Sequence, residues 1–347
     1  MSTMKAVMKP AAAPGAEIRD VEMPTCGPDD LLLRVRAASI CGTDLHIYNW
    51  DPWAQGAIKP PLVFGHEFTG EVVEVGGSVK GFKTGECVSV ESHIDCGECY
   101  QCKNGMKHIC DKLKILGVDR PGCFAQFVSI PARVCWKNSP GMPAEIATLM
   151  EPMGNAVHVV NAANVTGKSV AVFGCGPAGL FAIATAKAYN AAAIYAVETN
   201  PLRLELAKTV GANELLNGAD PDLIARLVKL SGGYGVDRTL EMSGNNKAIT
   251  NGLRCLKKGG TLAAFGLPSR PIELDLANDV IFKGRTILGI VGRLMFETWK
   301  QMQELLDSGR LDPRPIITHT FKLAEFDRAM TTFKSDTVKV GKVVLFP

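Results

Sequence analysis

The sequence predicts an α/β protein in two parts, a β-rich region followed by a doubly wound parallel sheet. Three observations carry that prediction. A chain of 347 residues is too long for one hydrophobic core and suggests two domains. Up to about residue 155, short strand-like runs are punctuated by Gly and Pro. Beyond that point a short, wholly apolar run, Ser169-Val-Ala-Val-Phe173, leads into Gly174-Cys-Gly-Pro-Ala-Gly179, and strand and helix patterns alternate from there to about residue 290. An apolar run of this kind is what a parallel strand covered on both faces requires.

In the first region the strand-like stretches are 31–37, 71–75, 87–90 and 124–130, a spacing that suits a compact barrel or sandwich with functional loops. In the second, a helix is expected from Pro177 to about Tyr189, then a strand over 193–197. Asn200 and Pro201 open the next helix as N-cap and first residue, and Gly211 closes it. Asp220 and Pro221 repeat the opening signal. Further strands are expected at 214–216, 236–241, 261–265 and 286–290, making six in all. After Arg293 come an amphipathic helix over 296–307 and strand-like runs at 316–321 and 340–346. These late strands resemble the first region in texture. The expected division is therefore 1–155 with 294–347 as one domain and 156–293 as a nucleotide-binding insertion.

The composition is that of a soluble globular protein: 46% hydrophobic, 21% charged, net charge +3. No run of Lys and Arg marks a nucleic-acid surface. The longest nearly apolar run, 170–186, falls short of the about 18 residues a membrane span needs and is interrupted by Gly and Pro. Residues 1–9 carry no secretory h-region or cleavage site, so a cytoplasmic location is expected, with neither nucleic acid nor membrane as a partner.

Chemistry concentrates in three places. Cys41-Gly-Thr-Asp-Leu-His46 and Gly65-His66-Glu67 bring a thiol, two imidazoles, a hydroxyl and a carboxylate within 27 residues. Cys41, His66 and Glu67 are ligand types that zinc uses in catalytic sites, where three protein donors leave a fourth position open. Thr43 and His46 lie close enough after the cysteine to pass a proton. A core cysteine and a surface histidine are the plainer alternative. Cys96, Cys99, Cys102 and Cys110, separated by two, two and seven residues, suit a closed tetrahedral zinc site; an iron–sulfur cluster is the rival metal. Without a secretory signal, this spacing reads as metal rather than disulfide.

The third place is the glycine loop. Gly174 allows a tight turn, Gly176 lets the backbone approach a pyrophosphate, and Gly179 lets helix and strand pack closely, with free N–H groups at the helix start facing the phosphates. Glu198 ends the next strand 19 residues beyond Gly179. A carboxylate there accepts from the adenosine ribose hydroxyls and repels a 2′-phosphate, which favours NAD over NADP. Arg203 either serves a phosphate or covers the adenine. Glu151, at the expected domain junction, either approaches a metal or complements a helix dipole. His158, His108 and His319 read as structural, whereas His93 is a candidate for lining the cleft. Tyr48, Trp50 and Trp53 either wall a pocket or anchor a loop.

Taken in chain order, these motifs resemble the zinc-dependent medium-chain alcohol dehydrogenases, and the resemblance covers the whole chain. The stretches 41–51, 117–124, 151–158, 241–244, 292–299 and 316–319 narrow it to the branch that oxidises L-threonine at C3. The resemblance implies a GroES-like catalytic domain with a Rossmann domain, assembled as a homotetramer. It implies one catalytic Zn2+ at Cys41, His66 and Glu67, with Glu151 nearby assisting catalysis and ligating zinc in some states, and one structural Zn2+. Thr43 and His46 match the proton relay. NAD contacts would fall on Gly174, Gly176, Ala178, Gly179, Glu198, Arg203, Phe265, Gly266, Leu267, Ile290 and Val291. Glu151, His93 and Arg293 are candidates for the substrate's ammonium and carboxylate. Gln126 stands where an acid is common in the family, and Val291 replaces a more usual Tyr or Thr; both bear on substrate preference, not reaction type. A polyol or secondary-alcohol dehydrogenase, of the sorbitol or 2,3-butanediol type, would keep every metal and NAD motif and is the alternative reading.

Overall fold

The β-rich part is organised by one strand, Asp30–Ser39, whose apolar residues Leu31, Leu33, Val35 and Ala37 are buried while Arg34 and Arg36 face outward. It pairs antiparallel with Glu67–Val75, Phe127–Pro131 and Lys342–Phe346 in a seven-stranded sheet. The computed structural model describes residues 2–335 and 337–347.

Ser39, at the end of the central strand, lies opposite Glu67 in the register, and Val344 lies opposite Ser39 from the other side. The chain leaves the central strand just before Cys41 and enters its neighbour just after His66. Sheet register, not proximity in sequence, therefore brings the cysteine and the histidine together.

The second part is a six-stranded, wholly parallel sheet. Its strand order is Glu214–Asn217, Ala193–Glu198, Ser169–Phe173, Val236–Glu241, Leu256–Ala264, Thr286–Gly289. Numbered by position in the chain, this is 3-2-1-4-5-6, the order of a dinucleotide-binding fold, with its switch point between Ser169–Phe173 and Val236–Glu241. The first strand is almost fully buried because helices cover both faces of such a sheet. The Pro201–Val210 helix opens as expected: Asn200 Oδ1 accepts from Leu202 N–H at 2.9 Å, and Gly211 closes it at φ +126°. The next helix starts later than Asp220 and Pro221 suggested. It runs Leu223–Leu230, and Asp220 instead accepts from Asp222 N–H and pairs with Arg226.

The chain divides into two compact units. One comprises residues 2–152, 317–335 and 342–347; the other comprises 153–316 with 337–341. The return to the first unit thus comes at 317, not at 294. The physical reason is the helix Glu297–Asp307, whose apolar face, Trp299, Met302 and Leu305, is fully buried within the second unit. Its Gln301 accepts from Asn161 at 2.6 Å, and Gly154 leaves room for Arg293, since a Cβ there would meet the Arg293 Cδ at 2.8 Å.

Candidate active site

The loop after the central strand folds into helix α1, Gly42–Asn49, with Cys41 as N-cap and Asp44 accepting from the Cys41 N–H at 2.8 Å. That bond satisfies a free donor at the helix start and fixes where the thiol sits. His66 and Glu67 enter from the neighbouring strand through Gly65. Gly65 has φ +89°, and a Cβ on it would overlap the Phe124 ring, so no other residue fits there. The ligand atoms of Cys41, His66 and Glu67 all lie within 4.8 Å of one another.

Each member of this cluster is held by a further side chain. His66 is buried, and its Nδ1 lies 3.6 Å from the Asp44 carboxylate, the arrangement that orients a metal-binding imidazole. Glu67 is fully buried. Its Oε2 accepts from Ser39 Oγ and from Lys342 Nζ, the latter at 2.5 Å, whereas its Oε1 has no partner among the described residues. A buried carboxylate oxygen without a donor is costly unless something positive occupies the adjoining space. Burial works to lower the basicity of both His66 and Lys342. The anionic groups around them, Asp44 and Cys41 for His66, Glu67 and Cys41 for Lys342, outweigh it and hold both above their ordinary values. The same field favours a metal cation. Donor types, spacing and the orphaned oxygen therefore fit zinc.

Glu151 is not part of that three-donor cluster. It is buried at the start of helix α2, Met150–Ala163, and accepts from Ser92 Oγ at 2.5 Å. Its charge reaches the neighbourhood all the same: after burial itself, Asp44, Glu67 and Glu151 together push the Cys123 thiol well up.

Thr43 and His46 share the face of α1 that positions three apart create. Thr43 Oγ1 lies 3.9 Å from Cys41 Sγ. His46 is more than half exposed, its Nδ1 bonded to Asp51 and its ring 5.9 Å from that of Trp53. Trp50 lies under the Lys9 ammonium and acts as a loop anchor. His93 is half-buried, with its backbone N–H donated to the Glu91 carboxylate. Arg293 is only 1% exposed and donates to Asn155 Oδ1 at 2.9 Å, an internal brace rather than a surface for a carboxylate. His158 is likewise internal, bonded to the Gly292 carbonyl at 2.9 Å, with burial lowering its basicity. Gln126 accepts from the Lys5 N–H.

The four cysteines form a second cluster, all four sulfurs within 4.8 Å of one another. Sulfur separations of 3.4, 3.8 and 4.0 Å bracket the about 3.8 Å edge of a tetrahedron with about 2.3 Å zinc–sulfur bonds. Backbone N–H groups of Cys96 and Lys112 point at Cys110 Sγ. The Cys102 N–H is the chief reason that the Cys99 thiol is lowered to about 6. Donors aimed at sulfur stabilise thiolate, the form that binds metal, whereas burial outweighs them at Cys110 and pushes Cys102 up to about 12.

In the second unit the glycine loop separates its three roles. Gly174 has φ +90°. A Cβ on Gly179 would lie 1.8 Å from the Gly174 carbonyl oxygen, whereas one on Gly176 would meet nothing within 4 Å. The middle glycine thus keeps an open approach for a ligand at the start of helix Pro177–Ala188, where Ala178 also lies. Glu198 closes the neighbouring strand and accepts from Cys175, Thr199 and Asn200 N–H. It lines a cavity of about 330 Å³ with Asn200 and Arg203. Phe265, Gly266 and Leu267 follow one strand end, and Ile290 and Val291 follow the next; Leu267 and Val291 are exposed. Buried Glu241 holds this edge together, accepting from Ser243 and Gly244 N–H while its backbone carbonyl accepts from Phe265.

Comparison with known proteins agrees with both units. Residues 27–143 match the alcohol dehydrogenase GroES-like domain, and residues 177–308 match the zinc-binding dehydrogenase model. The chain is 47% identical over 344 residues to an L-threonine 3-dehydrogenase of Bacillus licheniformis, covering 99% of each. The chain belongs to the zinc-dependent medium-chain alcohol dehydrogenases. Two solved structures share its fold at 27% identity and a TM-score of 0.92, each covered over 100% of both chains. One is described as a zinc-binding dehydrogenase of Sinorhizobium meliloti 1021 bound to NADP; the other is described as a short chain alcohol dehydrogenase of Escherichia coli CFT073 complexed with NADH.

Asp44, Ser39, Ser92, Lys342 and Asp51 are the site residues that sequence reasoning missed. Asp44 had a signal, an acid three residues after a helix N-cap. Lys342 had none, because a lysine in a late strand reads as solvated.

Proposed function

We propose that this protein oxidises L-threonine at C3 to L-2-amino-3-oxobutanoate and reduces NAD+ to NADH. The observation that carries the reading is the Cys41, His66, Glu67 cluster, its imidazole and carboxylate buried and one carboxylate oxygen left unpaired. The near full-length likeness to an L-threonine 3-dehydrogenase supports the substrate. In this reading, residues 2–152, 317–335 and 342–347 form the catalytic domain, and 153–316 bind NAD.

Cys41, His66 and Glu67 would hold the catalytic zinc, and Cys96, Cys99, Cys102 and Cys110 the structural one. Zinc and NAD+, when bound, supply Lewis acidity at the C3 hydroxyl and a hydride acceptor, respectively. The protein's own part is proton handling and orientation. Thr43 takes the proton leaving the C3 hydroxyl and passes it to His46, which releases it to water. Neutral imidazole suits that step near physiological pH. Glu151, held by Ser92, orients the substrate and favours its ammonium. Gly174, Gly176, Ala178 and Gly179 would cradle the pyrophosphate, and Glu198 and Arg203 the adenosine. Phe265, Gly266, Leu267, Ile290 and Val291 would flank the nicotinamide half.

Solved relatives hold either NADP or NADH, so the fold alone does not choose between them. Glu198 supports NAD, because a carboxylate at this strand end would repel a 2′-phosphate. Exposed Leu276, Ile281 and Phe282 precede the outermost strand Thr286–Gly289 and exposed Ile287 lies on it; apolar exposure at a sheet edge supports the expected homotetramer. Among the described residues, no helix is long and apolar enough to cross a membrane. A cytoplasmic enzyme without nucleic-acid or membrane partners fits the composition.

The test is NADH formation against L-threonine, L-serine, sorbitol and 2,3-butanediol, with and without a chelator. Threonine should be turned over fastest, and the chelator should abolish it. Faster turnover of sorbitol or 2,3-butanediol would transfer the assignment to that branch.

A further inference from the structure

His46 and Asp51 face each other across the break between helix α1 and the short helix Pro52–Ala57. Asp51 is the N-cap of the short helix: its Oδ1 accepts from Ala54 N–H at 3.0 Å, and its Oδ2 meets His46 Nδ1. The chain reverses at Trp50, which adopts the left-handed conformation at φ 57°. Trp53, one residue into the short helix, tilts its ring against the imidazole. The aspartate is thus anchored by the backbone on one oxygen and offers the other to the ring. Burial works to raise the Asp51 carboxyl, but the Ala54 N–H and the His46 ring outweigh it and hold it below the usual carboxylate range. The acid within α1 itself, Asp44, is turned toward Cys41 N–H and His66.

We propose that Asp51 is a positioning residue that fixes the tautomer of His46, keeping Nδ1 protonated so that Nε2 is the base of the relay. The chemistry follows from the donor inventory. An ionised carboxylate is acceptor-only, so the nitrogen facing it carries the proton. Nε2 then holds the ring's free lone pair. It accepts the proton from the threonine side of the relay, becomes imidazolium, and returns the proton to water, while Nδ1–H never leaves. This inference rests on the relay reading of Thr43 and His46 and adds a residue to it.

Asp51→Asn separates tautomer from structure. Asparagine is as good an N-cap as aspartate, and its Oδ1 still serves Ala54 N–H. The amide NH2 then faces Nδ1, forcing the proton onto Nε2, the wrong nitrogen for a base. Selective 15N-histidine labelling of the holoenzyme, with His46 assigned through His46→Asn, reads the tautomer directly. The wild type should show the Nδ1–H form and Asp51→Asn the Nε2–H form. In the same variant kcat should fall about 10- to 100-fold, within the usual worth of general-base catalysis, with zinc content, KM for NAD+ and Tm unchanged. Asp51→Ser keeps a cap but does not reach the ring, and it should fall between the two. An Nε2–H tautomer in the wild type, or wild-type kcat in both variants, overturns the proposal. His46→Ala tests the relay separately: if it keeps full kcat, the relay fails, while the tautomer measurement still decides what Asp51 does to the ring.

Discussion

The two candidate metal clusters of the first unit are assembled by opposite means. The four cysteines come from one short stretch, folded by local turns at Gly97 and Gly105, both with φ +76°, and aimed by backbone N–H groups within the same lobe. Cys41, His66 and Glu67 are brought together by sheet register and braced by Lys342 from the end of the chain. The donors differ in the same sense. Four thiolates at tetrahedral separation close a shell, whereas three mixed donors, one with an unpaired oxygen, leave a position open. A closed site can be local because it has only to hold its metal. An open site needs outside residues to bear its charge and aim its ligands.

The largest effect that separates the clusters is on activity. Cys41→Ser should lower NADH formation at least about 1,000-fold, while NAD binding by calorimetry stays within a few-fold and one zinc per chain remains. Full activity in that variant would end the catalytic assignment. Cys102→Ser should do the reverse in kind. Structural zinc sites carry folding free energy, so it should lose one zinc and lower Tm by many degrees, in a differential scan of protein that still carries its Cys41 zinc. An unchanged Tm would show that the lobe contributes no stability.

Lys342→Met probes the long-range brace. It leaves a buried Glu67 charge with Ser39 as its remaining partner on Oε2, and removing one partner of a buried pair costs about 3–5 kcal/mol. Urea unfolding should show a loss of that order. A loss under about 1 kcal/mol would mean that Glu67 does not depend on the lysine. Glu198→Ala is the smallest change, shifting the NAD-to-NADP ratio of kcat/KM toward NADP by about tenfold, roughly 1.4 kcal/mol. An unchanged ratio would remove the ground for preferring NAD.

The same contrast explains how far the sequence could be read. The cysteine lobe and the glycine loop were legible because each packs its chemistry and its geometry into a single stretch, and the apolar run at 169–173 and the strand expected at 236–241 formed with those bounds. The return of the chain at 317 was not, because Trp299 and its neighbours suit a helix against either unit, and packing, not periodicity, decides. The donors Cys41, His66 and Glu67 could be nominated from residue type, but not the supports around them. Ser39 and Lys342 meet on one carboxylate oxygen only through the pairing of three strands. Arg293 reads in the sequence as a cation available to a carboxylate, whereas burial braces it on Asn155.

Stepwise zinc removal tests the contrast most directly. A chelator titration would follow zinc per chain, NADH formation from L-threonine and far-ultraviolet circular dichroism together. Activity should vanish with the first zinc while the spectrum is unchanged, and the fold should loosen only as the second is lost. Full activity at one zinc per chain, or loss of both metals in step with unfolding, would contradict the division into one reactive and one structural site.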